Sequence, residues 1–217
     1  MRIGVLGTGV VGRTLAGKLV ELGHEVRMGS REAGKDAAVE WVRSAGENAS
    51  EGTFADAAEF AELVINATGG KVSLDALGMA GAENLAGKVL VDVSNALDFG
   101  GGPPVIGVAV DDSLGERIQA GFPDARVVKA FNTMNAALMV APDSLPESTS
   151  VFLAGDDTSA KAQVIELLET FGWLSGDIID LGDITAARGA ELYVALWVRL
   201  MGALGTPQFN IRIVRGE

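Results

Sequence analysis

Two short stretches near the start of the chain have the residue types and spacing to hold a dinucleotide. The first is Gly7-Thr8-Gly9-Val10-Val11-Gly12. In a G-x-G-x-x-G run of this kind Gly7 permits a tight turn, Gly9 lets the backbone approach a pyrophosphate, and Gly12 lets a helix pack closely on a strand. The helix that follows offers its N-terminal N–H groups and their partial positive charge to the phosphates. The second stretch is "MGSREAGK", Met28 to Lys35. A site built for NAD places an Asp or Glu at about this distance, where it accepts hydrogen bonds from the ribose hydroxyls and would repel a 2′-phosphate. Here Ser30 and Arg31 stand instead. Arg31 can bind a phosphate through two parallel charge-assisted bonds, Ser30 and Thr8 can donate to it, and Lys35 adds charge. This charge logic selects NADP(H). Glu32 leaves another arrangement open: facing the ribose it would favour NAD, and Ser30-Arg31-Glu32 also reads as a solvated turn before the next helix.

Further along, Lys129 and Asn132 lie three apart at the end of an apolar run, "ARVVKAF" followed by Asn132. They suit a proton donor and a substrate-orienting amide, as in an NADPH-dependent small-molecule dehydrogenase or imine reductase. The strand period sets Val127, Lys129 and Phe131 on one face and Asn132 on the other, so the two converge only if the strand ends in a bend. Otherwise Lys129 reads as a lysine whose stem packs on the sheet while its ammonium reaches water. Asn132, at a strand terminus, is the better candidate for ligand contact. His24 is the only histidine and sits in "LGHEV" before a strand, away from the expected site, as a surface turn residue. Hydride transfer between two rings needs chiefly proximity and orientation, so a site with no acid or base suits it. A third reading is a non-enzymatic NADP(H) sensor.

The elements that position these residues follow from hydrophobic patterning. "RIGVLG", "HEVRMGS", "LVINATGG", "KVLVDVS" and "ARVVKAF" are β-branched runs of the kind buried in parallel sheets. Between them lie helical patterns at Arg13–Leu22, at Phe54–Glu62 after a Thr53/Asp56 cap, and at Ser113–Gln119, opened by a Ser113-x-x-Glu116 capping box. The alternation predicts an α/β fold, a Rossmann doubly wound, mainly parallel sheet, with a small C-terminal α/β extension. A polar, proline-bearing stretch sets a soft boundary between an NADP-binding domain at 1–147 and a smaller domain at 148–217 that carries the acceptor site and dimer contacts. In the second part a strand "VFLAG", a helix Ser159–Phe171, a short strand near "DIIDLG" and a long helix from about Asp183 to Leu204 are expected. The tail "FNIRIVR" alternates as a last strand with one buried face. The long helix carries Leu192, Leu196, Trp197, Leu200 and Leu204, a period that predicts burial on core or a dimer partner. "DFGGGPP", Asp98 to Pro104, reads as a mobile connection or a lid over the acceptor.

Composition bounds the partners. With 17 Lys and Arg against 29 Asp and Glu, the net charge of −12 repels polyanions, which argues against nucleic acid and anionic membranes. The absence of Cys excludes disulfides, thiolate metal sites and a thiol nucleophile. With a strand opening within two residues of the first, no leader is expected, and the longest apolar run, "LYVALWVRLMGAL", is shorter than the ~20 residues of a membrane span. A reducing cytoplasm is the expected compartment.

Taken together, "GTGVVG", "GSRE", "VDVSNALD", "VVKAFNTM", "VFLAGDD" and "AARGAELYVALW" resemble the F420-dependent NADP oxidoreductases. These pass a hydride between NADP(H) and the deazaflavin coenzyme F420. The resemblance runs over nearly the whole chain. It implies that Thr8, Ser30, Arg31 and Lys35 hold the 2′-phosphate, that Thr68, Gly69, Gly70 and Asn95 flank the nicotinamide, and that Asn132, Thr133 and Met134 face the second cofactor. It also implies a homodimer, and leaves Trp197 as a wall of the deazaflavin site or as core. Where the archaeal reductases are expected to carry a His, this chain has Asn132. Membrane metalloreductases carry a similar N-terminal module that reduces a flavin, so the acceptor is F420 or a flavin.

Overall fold

A computed structural model describes residues 1–98, 105–107 and 110–216. The loop expected to act as a lid falls, beyond Asp98, outside the described residues. The chain opens with β1 (Arg2–Leu6), α1 (Val10–Glu21), β2 (Glu25–Ser30), α2 (Asp36–Ala45), β3 (Ala49–Thr53) and α3 (Phe54–Phe60). It continues through β4 (Leu63–Asn66), α4 (Ser73–Ala80), α5 (Ala82–Leu85), β5 (Val89–Asp92) and a small hairpin of β6 (Leu97–Asp98) and β7 (Val105–Ile106). Then come α6 (Leu114–Gly121), β8 (Arg126–Ala130), α7 (Ala136–Val140), β9 (Val151–Ala154), α8 (Thr158–Thr170), β10 (Ile178–Asp180) and α9 (Ala187–Leu204).

The main sheet has the order β10-β9-β8-β5-β4-β1-β2-β3. From β3 to β8 neighbouring strands run parallel; β9 lies antiparallel on β8, and β10 parallel on β9. The chain winds outward from β1 to β3, then returns to the other side of β1, which creates a topological switch point between β1 and β4. Strands from both sides of residue 147 share this one sheet, joined where Lys129 and Ala130 meet Ala154 and Leu153.

Residue alternation explains why both faces are covered. Val89 and Val91, Leu63 and Ile65, and Val128 and Ala130 feed one cluster with Leu15 and Leu19 of α1, Leu138 of α7 and Val164 of α8. Their neighbours Leu90, Val64 and Val127 feed the other, with Ala57 of α3, Leu77 of α4, Ile118 of α6 and Ala187 of α9. A strand flanked by helices on both sides is apolar through its centre, as in "LVI" of β4, "VLV" of β5 and "VV" of β8, while the polar Asn66, Asp92 and Lys129 stand at or near the carboxyl ends.

The caps follow the sequence in part. At Thr53 the box is complete: its hydroxyl accepts from the Asp56 N–H at 3.1 Å and its own N–H donates to Asp56 at 2.8 Å. At Ser113 only half forms: the Ser113 N–H donates to Asp112 at 2.7 Å instead, while the Glu116 carboxylate accepts the Ser113 hydroxyl at 2.7 Å and the Arg188 guanidinium through two bonds of 2.8 and 2.6 Å. The cap of α8 titrates. The Ser159 hydroxyl, and next the Ala160 N–H, hold the Asp157 carboxyl below its ordinary value of 3.8. A carboxylate held low in the folded state contributes stability that is complete above the unfolded value and is lost as pH falls through the folded one. This loss therefore lies below pH 3.8. Asp157→Asn, which keeps a capping side chain but does not titrate, is expected to show a shallower fall in melting temperature than wild type over about pH 4 to 2.

The tail departs from the strand expected at Phe209–Arg215: residues 205–216 form no strand. The Ser150 N–H donates to the Ile211 carbonyl at 2.8 Å, as in a ladder, but the next partners are side chains. The Asn210 amide donates to the Ser150 carbonyl, and the Ile213 N–H donates to the Ser150 hydroxyl, both at 3.0 Å. Side chains that take the places of backbone partners stop a ladder from propagating.

Candidate functional site

Each residue singled out at the carboxyl ends of β1, β2, β4, β5 and β8 comes to one edge of the sheet, on either side of the switch point. His24 lies at the other edge, before β2. At the end of β1, Gly7 has φ +118° and donates to the Gly29 carbonyl of β2 at 2.9 Å. A Cβ at Gly12 would lie 2.1 Å from the Gly7 carbonyl oxygen, so the close helix–strand contact depends on this glycine. Gly9 is different, with nothing within 4 Å of a Cβ there. Among the described residues no side chain caps α1 and no acid sits in its first turn, while Val10 is 66% exposed. Open backbone N–H groups, an open approach and an exposed apolar side chain at a helix N-terminus fit a dinucleotide diphosphate. Thr8 is half-buried beside them, and Val11 packs against the core.

At the end of β2, Arg31, Glu32 and Lys35 are exposed. Among the described residues, no side-chain hydrogen bond or ion pair engages Arg31 or Lys35. Ser30 is buried, and its hydroxyl donates to the Glu32 carbonyl at 2.5 Å, so the donor expected to meet a phosphate is already engaged within the loop. Glu51 of β3 accepts from the Gly34 N–H at 2.9 Å and fixes the far side of the same loop.

Past β4, Asn66 organises the next loop. Its carbonyl oxygen accepts from the Thr68 N–H and hydroxyl, and its amide donates to Ser73 and to Asp92 at 3.0 and 2.8 Å. Gly69 leads into a turn that starts at Gly70, where a Cβ would stand 2.2 Å from the Asn95 carbonyl oxygen. Thr68, Gly69, Gly70 and Asn95 are thus brought together.

The end of β8 holds what sequence reasoning missed. Phe131 is buried with φ +63°, the left-handed region, which costs a non-glycine residue about 1–3 kcal/mol unless its surroundings hold it. The bend breaks the strand period: Phe131 joins Val128 and Ala130 in one cluster instead of sharing a face with Lys129. Asn132 turns back, its amide donating to Asn95 at 3.0 Å and to the Ala190 carbonyl of α9 at 3.1 Å, while Asn95 donates to the Asn132 carbonyl at 2.8 Å. Lys129 does not reach water. It is 1% exposed and meets Asp92 at 2.8 Å, Glu191 at 2.9 Å and the Ser94 carbonyl at 2.5 Å. Burial alone pushes the ammonium down, but Asp92 and Glu191 outweigh it and hold Lys129 above the ordinary lysine value. An ammonium has three N–H groups, and these three acceptors take them all, so none remains for a substrate. Glu191 also accepts from the Leu114 and Gly115 N–H groups at 2.8 and 3.0 Å, where the positive end of α6 offsets the second carboxylate. The signal in the sequence was a lone acid, Glu191, in the apolar run "ELYVALWV".

Beside Asn132, Thr133 lines a cavity of about 260 Å³ with Phe152, Leu181, Ala190, Tyr193 and Ile211. The hydroxyls of Thr133 and Tyr193 are buried without a hydrogen-bond partner among the described residues. Burial raises the Tyr193 pKa further above neutrality, so its hydroxyl stays protonated. Met134 instead packs into the core at 6% exposure. Trp197, one turn beyond Tyr193, stacks on Phe209 with ring centroids 5.5 Å apart and does not line the cavity.

Residues 2–96 match the protein family described as NADP oxidoreductase, coenzyme F420-dependent. Over 210 residues the chain is 32% identical to the F420-dependent NADP reductase of Methanothermobacter marburgensis, covering 92% of each. The chain belongs to the F420-dependent NADP oxidoreductase family. A crystal structure of a candidate family member from Arthrobacter sp. FB24 superposes with a TM-score of 0.92 at 52% identity, over 98% of this chain and 99% of that one. Relatives of the family in larger proteins are also similar. Metalloreductase STEAP3 of Rattus norvegicus is 31% identical over 209 residues, which is 95% of this chain but 38% of that protein. No helix among the described residues of this family member is long and apolar enough to cross a membrane.

Proposed function

We propose that the protein is an NADP-dependent oxidoreductase that exchanges a hydride between NADP(H) and coenzyme F420, with a flavin as the alternative acceptor. The observation that carries this reading is the placement of unengaged polar groups along one sheet edge. Cations stand at the β2 end, open N–H groups at α1, and an apolar cavity at the β8 end, lined by Thr133 and Tyr193, whose buried hydroxyls have no partner among the described residues. Between them lies a lysine with no proton to offer. In this reading Gly7 to Gly12 seat the diphosphate, Arg31 and Lys35 take the 2′-phosphate, and Thr68 to Gly70 with Asn95 border the nicotinamide. Residues 148–217 supply the acceptor-side wall. NADPH supplies the hydride when bound; the chain's part is to hold two rings in register and exclude water from between them. The engaged ammonium of Lys129 speaks against the imine-reductase reading. A homodimer in the cytoplasm belongs to the same proposal.

The test is an anaerobic mixture of the protein with NADPH and oxidised F420, following loss of the deazaflavin absorbance beside FMN and FAD. Bleaching with F420 is the expected result, and Thr133→Val with Tyr193→Phe should raise its KM by about tenfold, the worth of one or two hydrogen bonds, with NADPH affinity intact. Tight NADPH binding with no hydride loss to any acceptor would replace this reading with a sensor.

A further inference from the structure

Lys129 belongs to a closed circuit of polar contacts. From Glu191 on α9 the circuit passes to the Lys129 ammonium, then to the Ser94 carbonyl and its neighbour Asn95. Asn95 pairs reciprocally with Asn132, and the Asn132 amide returns to the carbonyl of Ala190, the residue before Glu191. The sheet itself already fixes β5 and β8, whose register ends at Asp92 and Lys129. What the sheet leaves undetermined are the exits beyond those residues, Val93 to Ala96 and Phe131 to Asn135. The circuit acts on these exits. It ties each to the same turn of α9, and it encloses the strained Phe131 that reverses the path of the chain.

We propose that Lys129 is a positioning residue: by bridging the Ser94 carbonyl to Glu191 it fixes the exits that carry Asn95 and Asn132 beside the nicotinamide. The inference rests on the reading above in placing the nicotinamide next to Asn95. A side chain of similar length without donors fills the volume but leaves the Ser94 carbonyl and two buried carboxylates without their shared partner, so the exits relax. Removing the circuit leaves the diphosphate and 2′-phosphate seats at β1 and β2 untouched, since none of its members lies there.

The measurement is the affinity of Lys129→Met for NADPH and for 2′-phospho-ADP-ribose, which lacks the nicotinamide, by titration calorimetry with melting curves alongside. NADPH should bind about tenfold more weakly while 2′-phospho-ADP-ribose stays within about twofold. Glu191→Gln, which keeps the shape and one acceptor, should shift in the same direction by less. Equal weakening of both ligands, or of neither, overturns the proposal. Should Lys129→Met fail to fold, Glu191→Gln decides by the same criterion. A wild-type protein that binds the two ligands equally and transfers no hydride would overturn the functional reading as well; a wild type that passes both tests beside insensitive variants sinks the positioning role alone.

Discussion

Arg31→Ala is expected to bind NADPH about 10- to 100-fold more weakly while its NADH affinity stays within about twofold, the scale of one or two charge-assisted hydrogen bonds. The size of the effect follows from the loop. With the Ser30 hydroxyl donating to the Glu32 carbonyl, the phosphate loses one of its expected partners. Among the described residues Arg31 has no intramolecular ion pair to give up, so its full charge is available to a ligand. Lys35 remains as a point charge at the other end of the loop, which is why the loss stops short of complete discrimination. The dependence on ionic strength should weaken in parallel, because an exposed guanidinium is screened by salt. Glu32→Gln separates the alternative arrangement. If Glu32 faced the ribose, NADH affinity would fall in that variant; with Arg31 in that position, NADPH affinity rises slightly as a neighbouring negative charge is removed. Titration of both cofactors against both variants reads the result.

The second large effect divides two glycines of one motif. Gly12→Ala places a methyl group 2.1 Å from the Gly7 carbonyl oxygen, an approach that backbone must move to relieve. Overpacking of this kind costs about 2–3 kcal/mol, and for a chain of this size about 5–10 °C in melting temperature. Cofactor binding is expected to fall with it, because the displaced turn is the proposed diphosphate seat. Gly9→Ala should leave the melting temperature unchanged within about 1 °C, since its Cβ enters open space. Its NADPH affinity should still drop about tenfold, because on the proposed reading that open space is where the pyrophosphate approaches the backbone. Thermal melts and NADPH titrations on the pair distinguish a glycine required by the fold from one required by the ligand. Equal melting losses would show that both serve packing.

Much of this arrangement was legible because it is local. The strand, turn and helix at Gly7–Gly12, the charge change at Arg31 and the cap at Thr53 each declare themselves within a few residues. What escaped depends on distant partners. β3, "ASEGT", is a polar edge strand whose pairing with β2 supplies the order its side chains do not, and α2 is held by buried Ala38 and Trp41 with the half-buried Val42 and Ala45. The burial of Lys129 follows from Asp92, 37 residues before it, and from Glu191 on a helix near the far end of the chain. A lysine alone reads as a surface residue; only the fold supplies two carboxylates. Phe131 shows the same limit at the level of the backbone, since nothing in "KAFN" marks a left-handed residue, and the period-2 rule assigns its side chain to the wrong face. Tyr193 carried a faint signal as the only tyrosine in the sequence.

The reversal of β9 has its own consequence. Because β9 runs antiparallel to β8, with Ala130 opposite Leu153, its second residue, Phe152, lies level with the bend at Phe131 and faces the cavity from within a strand. In a wholly parallel sheet this edge would be furnished by loops, which adapt to what they bind. Here Phe152 stands on hydrogen-bonded sheet and Ala190 and Tyr193 on an 18-residue helix, while Thr133, Leu181 and Ile211 line the cavity from segments outside strands and helices. On the proposed reading of this cavity as the acceptor side, the strand and helix walls limit how thick an acceptor can be.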